Sequence, residues 1–210
     1  MSVAGRDGSH WADYNDAQTG RPVRELCAEL IGLAGPGEGR RAVDLGCGAG
    51  IETRALLDAG WRVHAIDSAP GTAERVLATA GADDRLTIDV REFALLDGLP
   101  PADLVYSGYS LQYLAPEDFE AVWRQVRASL RPGGWLAVNL LGDRDEWAGT
   151  AGETFLGEAG VRRLLDGLDV LKFDEEDADG PAWSGTKHWH VFHVIARSGT
   201  ARPERRGLSI

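Results

Sequence analysis

Short apolar runs alternate along the chain with segments in which apolar residues recur every three or four positions. The runs are rich in β-branched and aromatic residues and are bounded by Gly, Pro, Asp or Ser, which predicts strands over residues 41–45, 61–67, 85–90, 102–107 and 134–140. The intervening segments predict helices over residues 53–59, 73–80, 117–130 and 157–165. Such alternation favours a parallel sheet with right-handed crossovers and helices on both faces.

The end of the chain departs from this alternation. Residues 168–173 predict a sixth strand, the acidic segment 174–186 predicts a loop, and residues 187–197 predict a seventh strand. Because no helix separates the last two strands, the seventh is expected to run antiparallel to the sixth. The predicted fold is therefore α/β, a Rossmann-like three-layer sandwich with a seven-stranded, mostly parallel sheet whose last strand is antiparallel.

The length of 210 residues corresponds to one domain. We expect that domain to span residues 1–197, with a helical lid formed by residues 1–35 and a flexible tail over residues 198–210. Hydrophobic residues make up 43% of the chain and charged residues 26%, which is typical of a globular protein and excludes wholesale disorder.

The charge balance narrows the choice of partners. There are 22 Lys and Arg residues against 33 Asp and Glu, a net charge of -11, which disfavours nucleic acid and anionic membrane surfaces. The spacing of Cys27 and Cys47 suits neither a disulfide framework nor a zinc site. No signal peptide or membrane span is apparent, so we expect a cytoplasmic monomer or homodimer that acts on a small molecule.

The strongest chemical pattern follows the first predicted strand. The sequence Val43-Asp-Leu-Gly-Cys-Gly-Ala-Gly50 places glycines at 46, 48 and 50. Such a loop lets a strand turn sharply into a helix while a ligand lies against bare backbone. Asp67 ends the second strand 21 residues after Gly46, where a carboxylate can accept both hydroxyls of a ribose. A generic tight turn between strand and helix is the alternative.

Two other nucleotide-binding loops fit less well. No Lys-Ser/Thr pair follows the glycines, so the loop is not a P-loop. Position 51 is Ile where the dinucleotide fingerprint requires its third glycine, which argues against a nicotinamide-dependent oxidoreductase.

With these residues, the chain resembles the class I S-adenosylmethionine-dependent methyltransferases. The glycine loop matches that family's first motif, Val63-His-Ala-Ile-Asp67 matches its second strand, and Leu130-Arg-Pro-Gly-Gly-Trp-Leu136 is similar to the motif before its fifth strand. Within the family, the chain is similar to the tellurite-resistance-type and other small-molecule methyltransferases. That likeness depends on Gly20-Arg-Pro22, Gly142-Asp-Arg-Asp-Glu-Trp147 and Lys187-His-Trp-His190.

The resemblance implies S-adenosyl-L-methionine as the cofactor. Asp44 and the glycine loop would hold its amino acid part, Asp67 its ribose, and Asp89 its adenine edge. The implied cofactor-binding residues are Tyr14, Arg21, Asp44, Gly46, Cys47, Gly48, Gly50, Asp67, Ser68, Ala69, Asp89, Val90 and Ser107.

Candidates for acceptor binding and catalysis come from the edge where the parallel strands end, since ligands of open α/β sheets bind there. The predicted substrate-binding residues are Trp11, Tyr109, Arg144, Trp147, Trp189 and His190. The candidate catalytic residues are Asp143, Lys187 and His188. Histidines of a strand also occur as ordinary packing residues. No third ligand with metal-site spacing accompanies His188 and His190, so no metal is predicted.

The predicted function is in-line transfer of a methyl group to an O, N or S atom of a small acceptor, mainly through positioning. A general base is needed only if the acceptor carries a proton of high pKa. Ser107-Gly-Tyr-Ser110 replaces the Asn/Asp-Pro-Pro-Tyr motif of amino-methylating members, so DNA and protein amides lose support. A cofactor-binding protein that catalyses rearrangement or cyclisation, or an oxidoreductase, is the alternative.

Overall fold

A computed structural model describes residues 8–183 and 185–199. Its seven strands are β1 (Arg41–Leu45), β2 (Arg62–Asp67), β3 (Leu86–Val90), β4 (Ala102–Ser107), β5 (Leu130–Leu141), β6 (Leu168–Ala182) and β7 (Gly185–Ser198). The helices are α1 (Gly8–Ala17), α2 (Glu25–Ala34), α3 (Ile51–Asp58), α4 (Thr72–Ala80), α5 (Pro116–Ser129) and α6 (Glu158–Leu164). Single 3-10 turns span Phe93–Leu95 and Leu111–Tyr113.

The strands form one sheet in the order β3-β2-β1-β4-β5-β7-β6. Strands β3, β2, β1, β4 and β5 pair in parallel, and β7 runs antiparallel to both β5 and β6. The predicted fold class is therefore confirmed, including the antiparallel last strand. The switch in connection direction falls between β1 and β4, and the carboxyl ends of these two strands define the ligand edge of such a sheet.

Two apolar cores stabilise the sheet, one on each face. One contains residues of α2 and α3 together with Trp61, whose side chain is fully buried. The other contains residues of α5 and α6 and of the central strands. In α5 the buried residues Phe119, Val122, Trp123 and Val126 recur at three and four positions, as the sequence predicted.

The predicted loop over residues 174–186 is wrong. Strand β6 continues to Ala182 and pairs with β7 as far as Ala182 with Gly185. The acidic residues of β6 favour the strand because histidines of β7 face them: the ring of His193 lies 3.1 Å from Glu176, and that of His190 lies 2.8 Å from Glu175. Hydrogen bonds between side chains across a strand pair stabilise it.

The two strands extend beyond the sheet as a ribbon. Strand β5 pairs with β7 only up to Leu141 opposite Val191, and residues 177–182 and 185–190 continue as a two-stranded ribbon. Backbone N–H groups of Gly142 and Glu146 donate to the base of this ribbon, at the His190 and His188 carbonyls. Helices α1 and α2 occupy the predicted lid segment, and residues 1–7 and 200–210, including most of the predicted tail, lie outside the described residues. Within the described part of the chain, no helix is long and apolar enough to cross a membrane.

At the junction of β5 with the ribbon, we expect one substitution to lower the stability of the fold strongly. The buried His190 ring fills the space beside Gly142 so closely that a methyl group there would overlap it. We expect Gly142→Ala to lower the free energy of unfolding by roughly 2 kcal/mol or more, measured by urea denaturation. Gly32→Ala in α2, where a methyl group meets nothing, serves as the control and should be neutral or stabilising. Equal stability of the two variants would contradict this packing.

Candidate functional site

A cavity of about 600 Å³ lies at the carboxyl ends of β1, β2 and β4, the position expected from the strand order. Its aromatic lining consists of Trp11, Tyr14, Phe93, Tyr106, Tyr109 and Tyr113. Its charged lining consists of Arg21, Arg24, Glu52, Asp67, Glu92 and Asp118. The floor is the glycine loop between β1 and α3.

The loop requires glycine for two reasons: its backbone conformation and the lack of room for a side chain. Gly46, Gly48 and Gly50 have φ values of 79°, 51° and 80°, in the left-handed region. A methyl group on Gly46 would overlap the side chain of Ser110, and one on Gly48 would press on the side-chain oxygen of Asn15. The loop therefore presents bare backbone to the cavity.

Asp67 connects the loop to the end of β2. Its Oδ2 accepts the backbone N–H of Gly48 at 3.0 Å, and its Oδ1 accepts that of Ala69 at 2.8 Å. Each carboxylate oxygen has a second lone-pair direction, and the residue lines the cavity. Two fixed acceptor oxygens beside a glycine loop are compatible with the adjacent hydroxyls of a ribose, and the ribose-binding role of Asp67 stays a prediction.

Asp44 lies beneath the loop, 1% exposed. Its Oδ2 accepts the Thr53 hydroxyl at 2.6 Å, which fixes the start of α3. Its Oδ1 has no hydrogen-bond partner among the described residues, and burial raises the pKa of the carboxyl to about 7. The loop is thus built over an incompletely satisfied acid, which costs stability in the absence of a ligand.

A second buried carboxylate, Glu52, organises the entry to α2. Arg21 binds it through two hydrogen bonds of 2.7 Å, and the backbone N–H of Arg24 donates to it at 3.1 Å. Burial alone would raise the pKa of Glu52, but these bonds and the charges of the two arginines hold it below its usual value. Arg21 and Glu52 present to the cavity a paired positive and negative charge.

One face of α1 covers the cavity. Trp11, Tyr14, Asn15 and Gln18 all line it, and their spacing of three, four and seven places them on one side of a helix. The Trp11 ring lies 4.4 Å from that of Tyr113, measured between centroids. At the tip of the ribbon, Trp183 lies 6.0 Å from Tyr14 in the same measure. Within the predicted lid segment, α1 and the residues between it and α2 therefore border the cavity, whereas α2 packs in the core. The role of a lid stays a prediction.

The predicted cofactor residues fall into three groups. Those that line the cavity are Tyr14, Arg21, Gly46, Cys47, Gly48, Asp67, Ser68 and Ala69. Those that lie behind the lining are Asp44, Gly50 and Ser107. The third group is Asp89 and Val90, which still belong to the β3 ladder: Asp89 pairs with Arg91 at 3.4 Å, and Val90 is half exposed.

The residues that border the cavity after β3 lie further along the chain than Asp89 and Val90, the residues that the sequence suggested. Glu92, Phe93 and Ala94 line the cavity, because the chain leaves the sheet only after Val90. Asp89 instead lines a separate groove with Arg41 and other residues of the strands. The alternating strand pattern identified β3 correctly but did not locate the two or three residues beyond its end.

The predicted catalytic residues lie around the base of the ribbon and do not line the cavity. Lys187 forms a buried ion pair of 2.5 Å with Asp145 and lies between the rings of Trp147 and Trp189, at 3.4 and 4.0 Å from their centroids. Asp143 is exposed, 3.6 Å from the Nδ1 of His190.

His188 has a carboxylate at each ring nitrogen. Nδ1 lies 2.8 Å from Asp179 and Nε2 lies 2.8 Å from Asp177, and these bonds raise the pKa of His188. A ring held by two carboxylates favours the protonated form, which cannot accept a proton. The catalytic roles of His188, Asp143 and Lys187 stay predictions. In the structure, each of these side chains lies against a side chain of opposite charge type or a histidine ring outside the cavity.

Of the predicted acceptor-binding residues, Trp11 and Tyr109 line the cavity. Trp189 lies behind Tyr109, with ring centroids 5.9 Å apart, and Trp147 lies behind Trp189. Arg144 is exposed and pairs with Glu175 and Asp177. His190 is fully buried, and its Nδ1 accepts the backbone N–H of Arg144 at 2.9 Å.

Sequence reasoning missed several lining residues. They are Asn15, Gln18, Arg24, Glu52, Glu92, Phe93, Tyr106, Tyr113 and Asp118. A signal was present for some of them: Asn15 and Gln18 continue the helical spacing of Trp11 and Tyr14. Arg24 carried no such signal, because nothing local distinguishes it from the other arginines.

Comparison with known proteins agrees with this geometry. A family model described as a methyltransferase domain matches residues 43–136, which include the glycine loop and Asp67. Trans-aconitate 2-methyltransferase of Delftia acidovorans is 33% identical and covers 90% of this chain and 75% of its own length. The enzyme of the same name from Methylobacterium nodulans is 35% identical, over 94% of this chain and 76% of its own.

A solved structure shows the same fold. TehB from Haemophilus influenzae superimposes with a TM-score of 0.73 at 13% identity, covering 90% of this chain and 67% of its own.

The buried carboxyl under the loop predicts a pH-dependent stability. Because the folded pKa of Asp44 is raised to about 7, its contribution is fully present below the unfolded pKa and is lost as pH rises through 7. We expect Asp44→Asn, which does not titrate, to be more stable than the wild type at pH 8 by roughly 1 to 3 kcal/mol. The difference should shrink toward pH 5.

Urea denaturation at pH 5, 6, 7 and 8 measures this effect, with Asp169→Asn on the exposed start of β6 as the matched control. Stability curves of wild type and Asp44→Asn that run parallel over this range would contradict the buried, titrating state of Asp44.

Proposed function

The chain belongs to the class I S-adenosylmethionine-dependent methyltransferases, and on that premise we propose that its acceptor is a carboxylate oxygen of a small organic acid. Methyl transfer to a small molecule follows from the family. The choice of a carboxylate as the acceptor group goes beyond what family membership implies. It is supported by the names of the relatives from Delftia and Methylobacterium, which act on trans-aconitate.

One structural observation supports the methyl transfer itself: Asp67 and the glycine loop border a cavity that is also lined by six aromatic side chains. Asp67 would hold the ribose of the cofactor, the bare backbone at Gly46–Gly48 its amino acid part, and Phe93 its adenine side. When bound, S-adenosylmethionine would supply a methyl group on a positively charged sulfur. The acceptor oxygen would bond to the methyl carbon as the S–C bond breaks, and the sulfur would leave as the thioether of S-adenosylhomocysteine.

The protein's own contribution is alignment and exclusion of water. Gly108 and Tyr109 follow β4 at the switch point, where a reacting atom would lie between cofactor and acceptor. The aromatic face of α1 closes this space from above, and Trp183 of the ribbon supports α1. Holding two reactants in line within such a space supplies much of the acceleration.

A carboxylate acceptor suits the chemistry of the lining. Carboxyl groups of small acids are ionised at neutral pH, so the acceptor oxygen carries no proton to remove. Arg24 contributes positive charge beside Tyr109, which follows β4, and the charge of Arg21 is matched by Glu52. Glu92 follows β3, on the other side of the sheet order. The net charge of -11 supports a small acceptor over a nucleic acid.

The test is product analysis with a panel of acceptors. The enzyme is incubated with S-adenosylmethionine and, separately, with trans-aconitate, saturated di- and tricarboxylic acids, a monocarboxylic acid, a phenol and an amine. We expect S-adenosylhomocysteine to form with the polycarboxylic acids, together with a product heavier by one methyl group that alkali hydrolyses back to the acid. Methylation restricted to the phenol or the amine would overturn the carboxylate proposal and leave the family assignment intact.

A further inference from the structure

Arg24, which directly precedes α2, places a guanidinium in the cavity without a carboxylate partner for its side chain. Its Nη2 lies 3.4 Å from the Tyr14 hydroxyl, and its Cζ lies 4.8 Å from the centre of the Tyr109 ring. Glu52 takes only the backbone N–H of Arg24. Glu52 acts on the guanidinium of Arg24 only through its charge. In a chain with a net charge of -11, a partly buried arginine whose side chain forms no ion pair with a carboxylate of the described residues is unusual.

The contrast with Arg21 indicates that the two arginines have different roles. Arg21 is held by both oxygens of Glu52, at 2.7 Å each. That pair has one positive and one negative charge, which complements an amino acid zwitterion such as the end of the cofactor. The guanidinium of Arg24 adds a second positive charge to the cavity, and it donates a hydrogen bond to the neutral Tyr14 hydroxyl. Burial would lower the pKa of Arg24, but Tyr14, Tyr106 and Glu52 raise it, so the group is cationic.

Tyr109 presents its ring to this guanidinium, whose Cζ lies over it. Its backbone has a φ of 54°, a conformation that non-glycine residues rarely adopt and that often marks functional positions. Trp189 supports the ring of Tyr109 from behind. A guanidinium stacked on a ring keeps its in-plane N–H groups free for a planar, bidentate partner.

The tyrosine adds a neutral donor beside the cation. Burial raises the pKa of Tyr109 to about 12, so its hydroxyl keeps its proton at neutral pH. No hydrogen bond of this hydroxyl occurs within the described ranges, and the residue lines the cavity. A planar cation with a hydroxyl donor next to it matches a carboxylate in shape and charge.

We propose that Arg24 and Tyr109 clamp a second carboxylate of the acceptor, one that is not methylated, and that this clamp selects polycarboxylic over monocarboxylic acids. The inference rests on the proposed function. Clamping one carboxylate at Arg24 leaves another free to approach the methyl group beside Gly108. The clamp thereby fixes both the identity of the acceptor and the oxygen that reacts.

Two variants test the clamp. Arg24→Leu removes the cation and the fork of N–H groups, and Arg24→Lys keeps the charge but loses the bidentate geometry. Arg54→Leu is the matched control, since Arg54 is an exposed helix residue whose side chain, among the residues that the structure describes, bonds to Asp58 and the Thr79 carbonyl. For each protein we measure kcat and KM with trans-aconitate and with a monocarboxylic acid, and the Kd of S-adenosylhomocysteine by calorimetry.

We expect Arg24→Leu to raise the KM for trans-aconitate about 10- to 100-fold, the loss of a charge-assisted hydrogen bond pair. The KM for the monocarboxylic acid and the Kd of S-adenosylhomocysteine should change less than about threefold. The KM of Arg24→Lys for trans-aconitate should lie between those of the wild type and Arg24→Leu. Added guanidinium ion at millimolar concentration should restore part of the activity of Arg24→Leu, which a merely structural role of Arg24 would not permit.

The outcomes separate the two proposals. Wild-type enzyme that methylates no carboxylic acid overturns the proposed function and the clamp together. Wild-type enzyme that methylates trans-aconitate, with an unchanged KM in Arg24→Leu, overturns the clamp alone. If Arg24→Leu weakens binding of S-adenosylhomocysteine by as large a factor as it raises the KM for trans-aconitate, Arg24 binds the cofactor, and the clamp is overturned.

Discussion

The cavity depends on one carboxylate that accepts two backbone N–H groups. Asp67 ends β2 and binds the amides of Gly48 and Ala69, so the loop after β1 and the turn after β2 share one anchor. The main chain adds to this, since Gly46 and Cys47 both donate to the Ile66 carbonyl. A ligand that needs two adjacent acceptors finds them already in place, and little reorganisation is required on binding.

The other walls of the cavity are positioned by their fit to that loop. Asn15 of α1 approaches Gly48 so closely that no side chain fits between them, and Ser110 after β4 does the same at Gly46. Helix α1 and the chain after β4, which carries Tyr109, therefore depend on Gly48 and Gly46 respectively. Rigid contacts at the floor and aromatic contacts at the roof suit a site that must hold two reactants in line and exclude water.

Local signals in the sequence predicted the sheet, the glycine loop and Asp67, because strand alternation and glycine spacing are properties of neighbouring residues. The ribbon was missed because the acidic run of β6 becomes a strand only when Glu175 and Glu176 meet the histidines of β7. Arg24 was missed for the same reason: its role depends on Tyr109, which is remote in the chain. The catalytic role of His188 stays a prediction, and nothing in the sequence indicated that two carboxylates of β6 would contact its ring.

The most direct measurement is calorimetric titration of S-adenosylhomocysteine into the wild type and Asp67→Asn, with Asp169→Asn as the control and NAD as a competing ligand. The account predicts saturable binding to the wild type and the control, and at least about tenfold weaker binding to Asp67→Asn, because the amide supplies one acceptor oxygen instead of two. It predicts no binding of NAD. Unchanged affinity in Asp67→Asn, or binding of NAD in place of S-adenosylhomocysteine, would contradict it.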